Sequence, residues 1–224
     1  MTEEKVKGIV LKLIDYKDAD KLASVFTLEQ GIVLAKFVGV KKDKAKMKAI
    51  AQPFVFAEFS FNKKNNKRTV VSANLIDNFP GLLNSYDKTM CGYVMLDMLS
   101  SILPQEKVEQ SIFLLSLTSL KEIEDGNAYV ALIKFIIKFF EFSGMGIVFP
   151  DKQYVHFDRT TGEFVENGNF NTMQLDKKVF ETLVAIKNEE LIEVNIATLK
   201  QILRLLHSMI FIKFNEDIKS FEFI

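Results

Sequence analysis

The chain has 224 residues, 48% apolar and 26% charged, with no net charge and a single cysteine, Cys91. That balance supports a packed core in one or two domains, and one cysteine excludes an internal disulfide and any cysteine-based zinc site. The most apolar region, residues 129–150, is interrupted by Lys134, Lys138 and Glu141. It therefore reads as a buried helix and not as a membrane span. The opening Met-Thr-Glu-Glu-Lys lacks the basic-then-apolar order of a signal peptide, so a cytoplasmic protein is expected.

The charge is unevenly spread. Up to Pro80 there are 15 Lys and Arg against 9 Asp and Glu, a balance of +6, and the remainder carries 14 against 20. Such asymmetry suggests a basic binding half attached to a neutral or acidic body. Only Arg68, Arg159 and Arg204 are arginines. Bidentate reading of guanine edges favours arginine, so recognition of a particular base sequence is not expected.

In chain order, residues 6–77 read as five short strands separated by turn clusters. The first is 6–14, with Ile9, Leu11 and Leu13 on one face. The turn 15–20 leads to 22–28, and Glu29-Gln-Gly31 leads to 32–40. A basic connection over 38–48 follows, then strand 54–61, the turn 62–67 and strand 68–76. Five strands with an insertion between the third and fourth fit an OB-fold β-barrel, which carries a short helix there. Residues 45–51 could form it.

In the basic connection Lys41, Lys42, Lys44, Lys46 and Lys48 face one acid, Asp43. Lysines beside a sheet can track a phosphate backbone as a row of point charges, with Lys36, Lys63, Lys64, Lys67 and Arg68 as helpers. A solvated loop that binds nothing is the competing reading. Phe37, Phe59 and Phe61 lie on the third and fourth strands. They are placed either to stack bases, as OB surfaces do, or to fill the core.

At Asn78-Phe-Pro-Gly81 the period changes. From Leu82 the pattern is helical, with Leu83, Tyr86, Met90, Tyr93, Val94 and Leu96 or Asp97 at spacings of three and four, ending at Leu103-Pro104. Helices are expected at 108–124, 128–143, 176–186 and 196–209. Between them, residues 154–157 and 163–165 form a small hairpin around Thr160-Thr-Gly162, and the tail 218–224 reads as extended. The expected domains are 1–79 for the barrel, 80–149 with 172–224 for the helical body, and 150–171 for the interposed hairpin.

Catalytic chemistry finds little support. Gly144-Met-Gly146 follows a helix and lacks a third glycine, so capping explains it better than phosphate binding. His156 and His207 lie in different segments and in no ligand motif. Cys91 sits among apolar helix residues and reads as inert core. Asp15, Asp18 and Asp20 crowd one turn without EF-hand spacing. No catalytic residue, metal site or cofactor is expected.

Several stretches together resemble the RecO family of bacterial recombination and repair proteins. They are Lys7-Gly-Ile-Val-Leu11, Tyr16 with Asp20 and Lys21, Val25-Phe-Thr27, Glu29 with Gly31, Gly39 before the basic run, and Gln52-Pro-Phe54. In the helical part, 93–103, 144–150 and Ile218-Lys-Ser220 agree. The resemblance covers essentially the whole chain. It implies an N-terminal OB domain, a helical domain with an interposed zinc-ribbon-like segment, binding of single- and double-stranded DNA, strand annealing, and loading of RecA onto DNA covered by single-stranded DNA-binding protein (SSB). It implies RecR and the acidic SSB tail as partners, and a monomer associated with the nucleoid during repair. Many family members carry four cysteines in the stretch matching 154–170. This chain has none there, so zinc is expected to be absent, with Tyr154, Phe157, Phe164 and Phe170 keeping the shape.

The SSB tail ends in acids and a terminal Phe, as the resemblance implies. Its receptor needs an apolar pocket rimmed by cations, because an unpaired buried carboxylate is costly. The expected residues are Lys134 and Lys138 on one helix, and Lys200, Arg204 and His207 at spacings of four and three on a later one. The reading is a non-enzymatic recombination mediator. An OB-fold RNA-binding protein and an interaction scaffold with little DNA binding are the alternatives.

Overall fold

The five strands close on themselves. In the computed structural model, which describes residues 2–64, 67–151, 155–190 and 193–224, they are β1 (Thr2–Tyr16), β2 (Asp20–Thr27), β3 (Gly31–Phe37), β4 (Phe56–Lys64) and β5 (Lys67–Asp77). The barrel order is β1-β2-β3-β5-β4, with β4 also paired to β1. Every pairing is antiparallel except β3 with β5, which meet in parallel through Ala35 and Arg68, and through Lys36 and Thr69. This is the Greek-key closure of an OB barrel. Its interior is built from Val6, Val10, Val25, Val33, Phe37, Phe59, Phe61 and Val70.

The inward face of β1 differs from the simple alternation. The register shifts between Val10 and Lys12. The extra residue changes which parity points inward, so Val6, Val10 and the partly buried Leu13 meet the core cluster in place of an Ile9, Leu11 and Leu13 row. The connection over 45–51 is a run of turns and not a helix. Its bonds are single steps such as Lys48 N–H to Ala45 O at 3.2 Å and Ala51 N–H to Met47 O at 2.9 Å. Ile50 and Ala51 nevertheless join the barrel core, which holds the end of the lysine run in place.

Two compact units emerge: Met1–Pro80 with Leu96–Leu114, and Gly81–Met95 with Leu115–Ile224. The boundary falls inside helices α1 (Tyr86–Ile102) and α2 (Gln110–Asp125). Residues 96–114 thus group with the barrel and not with the helical body. Gln105 bridges Ile32 in parallel, and the Glu106 N–H donates to Ile32 O at 3.0 Å. Gly31 makes this possible: its φ is +69°, and a Cβ there would come within 2.0 Å of the Lys107 carbonyl oxygen. Phe113 packs edge-on against Phe26 and Phe56, with ring centroids 5.3 and 6.1 Å apart.

In the second unit α3 (Ala128–Phe142), α4 (Lys177–Lys187) and α5 (Ile196–Phe214) pack together. Asn127, Asp176 and Asn195 cap their first turns with side-chain oxygens. Helix α3 is buried on almost every side, as its near-continuous apolar sequence requires. Phe214 closes on Phe139 and Phe140 at 5.8 and 5.2 Å. Leu83 and Tyr86, part of the apolar spacing pattern from Leu82 onward, are 69% and 63% exposed. Leu83 lies in a 3-10 turn, Pro80–Asn84, that breaks the helical phase before α1 begins. The tail is a 3-10 turn over Lys219–Phe223 instead of an extended segment. Its Phe221 ring stacks on His207 at 4.4 Å. No helix among the described residues is long and apolar enough to cross a membrane.

The expected hairpin is a three-stranded antiparallel sheet, ordered β7 (Glu163–Val165), β6 (His156–Asp158), β8 (Thr172–Gln174). The third strand lies beyond residue 171, in sequence assigned to the helical body. Phe164 meets Phe149, Phe157 and Phe180 with centroids 5.5, 6.4 and 5.3 Å apart. Phe170 is 97% exposed and packs nothing, and Tyr154 lies outside the described residues. The donors here do not fit zinc: the segment offers His156 and no thiolate, and no cluster of three or more metal-ligating side chains occurs among the described residues.

Candidate nucleic-acid interface

Alternation along the strands decides what faces outward. Between the core residues Val33, Ala35 and Phe37, β3 presents Leu34 and Lys36, and around Val70 β5 presents Thr69 and Val71. These outward residues line a cleft of about 690 Å³ on the barrel surface. Tyr16 and Lys17 border it from the β1–β2 turn, Leu22 from β2, and Lys64 and Lys67 from the paired ends of β4 and β5. Lys36 lies 4.0 Å from Asp20, while among the described residues Lys64 and Lys67 have no acidic partner. The result is an apolar floor with cations around it, suited to bases below and phosphates above.

The β1–β2 turn and the basic connection are tied together. Asp20 accepts the Gly39 N–H at 2.8 Å, and the Lys41 N–H donates to Ala19 O at 3.0 Å. Gly39 has φ +65°, a conformation glycine adopts without strain. Lys41 Nζ lies 2.8 Å from Asp15 Oδ2, and this hydrogen bond and charge hold the Asp15 carboxyl below its usual range. Lys42, Lys44, Lys46 and Lys48 are exposed and have no acidic partner among the described residues. Lys63 lies 3.5 Å from Glu4.

Arg68 stands apart from the other sequence-selected cations. It is 6% exposed, and its Nη1 donates to Glu106 Oε1 at 2.7 Å. Its Nε lies 3.5 Å from Glu4 Oε2, a contact of opposite charge without hydrogen-bond geometry. The Arg68 bond and charge lower the Glu106 pKa. Arg68 thus lines the same cleft while its Nη1 and Nε face carboxylates of the barrel unit. Phe37, Phe59 and Phe61 are fully buried, with Phe59 stacked on Phe61 at 5.7 Å and edge-on to Phe37 at 6.3 Å. They fill the barrel and cannot stack bases. Tyr16, 39% exposed, is the aromatic among the residues lining the cleft. The acid-rich turn around it hid that role in the sequence.

The cations selected for the tail pocket divide among three places in the second unit. Lys134 and Lys138 border a hollow of about 100 Å³ with Ile137 and Ile186. There Lys138 Nζ sits 3.0 Å from Glu189 Oε1 and holds that carboxyl below its usual range. Arg204 and His207 line a different pocket, about 800 Å³, floored by Phe157, Leu205, Phe211 and Ile212. Lys200 lines neither and lies over the Tyr129 ring at 5.5 Å. Arg159, which helical spacing could not select, joins Arg204 in the larger pocket, and Asp176 and Asp217 supply negative charge there. His207 Nε2 is 3.2 Å from Asp217 Oδ1. Burial pushes the His207 pKa down, and the neighbouring Asp217 only partly offsets this.

Residues 1–79 match the family described as "Recombination protein O N terminal". The DNA repair protein RecO of Caldicellulosiruptor saccharolyticus is 28% identical over 122 residues, 54% of this chain and 50% of the relative. That of Clostridium novyi is 33% identical over 109 residues, 49% and 43% of the two chains. That of Bacillus subtilis is 26% identical over 161 residues, 71% and 62%. The chain spans about half the length of the first two of these relatives. The barrel in OB order lies at the residues that match the RecO N-terminal family, and over 109 to 161 residues the chain, with its helices and small interposed sheet, is similar to DNA repair proteins named RecO.

Proposed function

We propose that the chain is a non-enzymatic recombination mediator. It binds single- and double-stranded DNA, anneals complementary strands and, with RecR, helps load RecA onto SSB-coated single strands. The observation that carries this reading is the barrel cleft, where exposed apolar side chains lie beside Lys36, Lys64 and Lys67, next to a turn tied to the lysine connection. The work is electrostatic: the cations replace the counterions that keep two phosphate backbones apart. The phosphate contacts are Lys36, Lys64 and Lys67 in the cleft, with Lys41, Lys42, Lys44, Lys46 and Lys48 beyond it and Lys63 at its edge. The protein acts as a cytoplasmic monomer.

The SSB tail docks in the larger pocket of the second unit. That pocket has room for a phenyl ring, and it holds Arg159 and Arg204 for the terminal carboxylate. Lys134 and Lys138, at the separate hollow, serve the acidic residues preceding the ring. The test is annealing of complementary strands with and without SSB. Replacing Lys42, Lys44 and Lys46 by Ala, or Lys64 and Lys67 by Ala, should flatten the salt dependence of single-strand binding by about 0.7 log units per decade for each lost contact. Unchanged affinity and slope in both variants would place the DNA elsewhere. Tighter binding of a matched RNA oligomer than of DNA would favour an RNA-binding role.

A further inference from the structure

We propose that Tyr16 is the base-stacking residue of the barrel cleft, so that the cleft takes an unpaired strand in preference to a duplex. This rests on reading the cleft as the DNA site. Three observations converge on it. The phenylalanines that would otherwise stack bases, Phe37, Phe59 and Phe61, are sealed in the barrel core. Tyr16 is an exposed ring in a cleft whose apolar members, Leu34 and Val71, are 40% and 57% exposed. Its backbone is held on both sides: Asp15 is paired to Lys41, and Asp20, the register partner of Tyr16, accepts the Gly39 N–H. A ring carried on an anchored strand end costs less ordering when a base lies against it than one on a free loop.

Lys17 completes the arrangement. It adopts a left-handed φ of 56°, and its Nζ lies over the Tyr16 ring, 5.6 Å from the centroid. The same cation can pass from the ring to the phosphate of a nucleotide stacked there. A duplex keeps the faces of its bases against one another, so it offers this ring nothing. An unpaired strand offers a face at every base, irrespective of sequence. With Arg68 committed to Glu106 and Glu4, the cleft also lacks a free guanidinium for reading base edges. The geometry therefore favours unpaired bases of any sequence.

The test uses the full chain with Tyr16→Ala, Tyr16→Phe and Tyr16→Trp. The probes are a labelled oligo-dT strand and the same strand paired with oligo-dA, both at low salt. Tyr16→Ala should weaken single-strand binding by roughly 5- to 100-fold and leave duplex binding within about twofold, because stacking contributes only where a base face is free. Its salt slope should stay that of the wild type, since a ring releases no counterions. Tyr16→Phe keeps the ring and should keep the affinity. The chain contains no tryptophan, so Tyr16→Trp places a lone indole at the site, and its emission should be quenched by the single strand and not by the duplex. Unchanged single-strand affinity in Tyr16→Ala, or equal loss for strand and duplex, would overturn the inference. So would unquenched indole emission at saturation while binding itself persists. If the wild type binds neither probe, the reading of the cleft fails first and takes the inference with it.

Discussion

Replacing Arg68 by Ala separates stability from DNA binding. In a fully buried ion pair, loss of one partner costs about 3–5 kcal/mol, because the other charge is stranded. The Arg68 side chain is 5% exposed, but Glu106 is 60% exposed and Glu4 is 22% exposed. Glu106 regains water when the guanidinium leaves, so most of that penalty does not arise. What remains is one charge-assisted hydrogen bond, worth about 1.5–3 kcal/mol, together with lost packing of the arginine stem. The expected cost is therefore about 2 kcal/mol, or roughly 4–8 °C in melting temperature for a chain of this size. Urea unfolding followed by circular dichroism measures it. Glu106→Gln, which removes the charge and keeps an acceptor, should cost less. DNA binding gives the second readout: the salt slope should match the wild type, whereas Lys64→Ala or Lys67→Ala lowers it by about 0.7. Wild-type stability together with a lower salt slope in Arg68→Ala would refute the reasoning and return Arg68 to the phosphate contacts.

Cys91 is completely buried, and desolvation pushes its thiol up to about 12. It should resist a thiol reagent in the native state and react fully in denaturant; rapid native labelling would show that α1 opens. Arg204→Glu should weaken binding of an SSB-tail peptide by about tenfold or more through like charge beside the carboxylate, with naked-DNA binding retained. Lys134→Glu should do less, because Lys134 borders a separate hollow, and the reverse ranking would move the tail to that hollow. His207 has a folded-state pKa below its ordinary 6.5, so the unfolded chain takes the proton more readily. Stability present above that value is lost as pH falls, and the urea midpoint should drop between about pH 7.5 and about pH 5.5, less so in His207→Gln. Phe164→Ala removes the ring shared by Phe149, Phe157 and Phe180. It should cost the small sheet about 3–5 kcal/mol and expose it to protease, whereas a chelator should leave wild-type melting unchanged.

Local period was readable in the sequence; long-range pairing was not. The strands and helices announce themselves through alternation and three-to-four spacing. Which parity of a closed strand points inward depends on bulges such as the shift between Val10 and Lys12, and a one-residue shift reverses the face. That is why β1 turns Val6, Val10 and Leu13 to the core cluster where alternation alone gives Ile9, Leu11 and Leu13, and why alternation leaves both a core and a surface placement open for Phe37, Phe59 and Phe61. Arg68 meets Glu106 across 38 residues of chain, so nothing beside it in sequence marks it as engaged. Helical spacing grouped Lys200, Arg204 and His207 on one face, yet one turn of offset sends Lys200 to Tyr129 and the other two to the pocket. Tyr16 and Arg159 carry no periodic signature and become visible only when the turn and the small sheet are folded.

The ring-filled core of the small sheet has a chemical consequence. A ribbon pinned by four thiolates is vulnerable to oxidants, which convert thiolates to sulfenic acids and disulfides and release the metal. Here Phe149, Phe157, Phe164 and Phe180 pack a small three-stranded sheet through their rings and without thiolates. The chain's one thiol is buried and kept protonated. Peroxide strong enough to strip a thiolate-bound zinc therefore finds no such target in this sheet, and the element keeps its shape in a cell whose thiols have been oxidised.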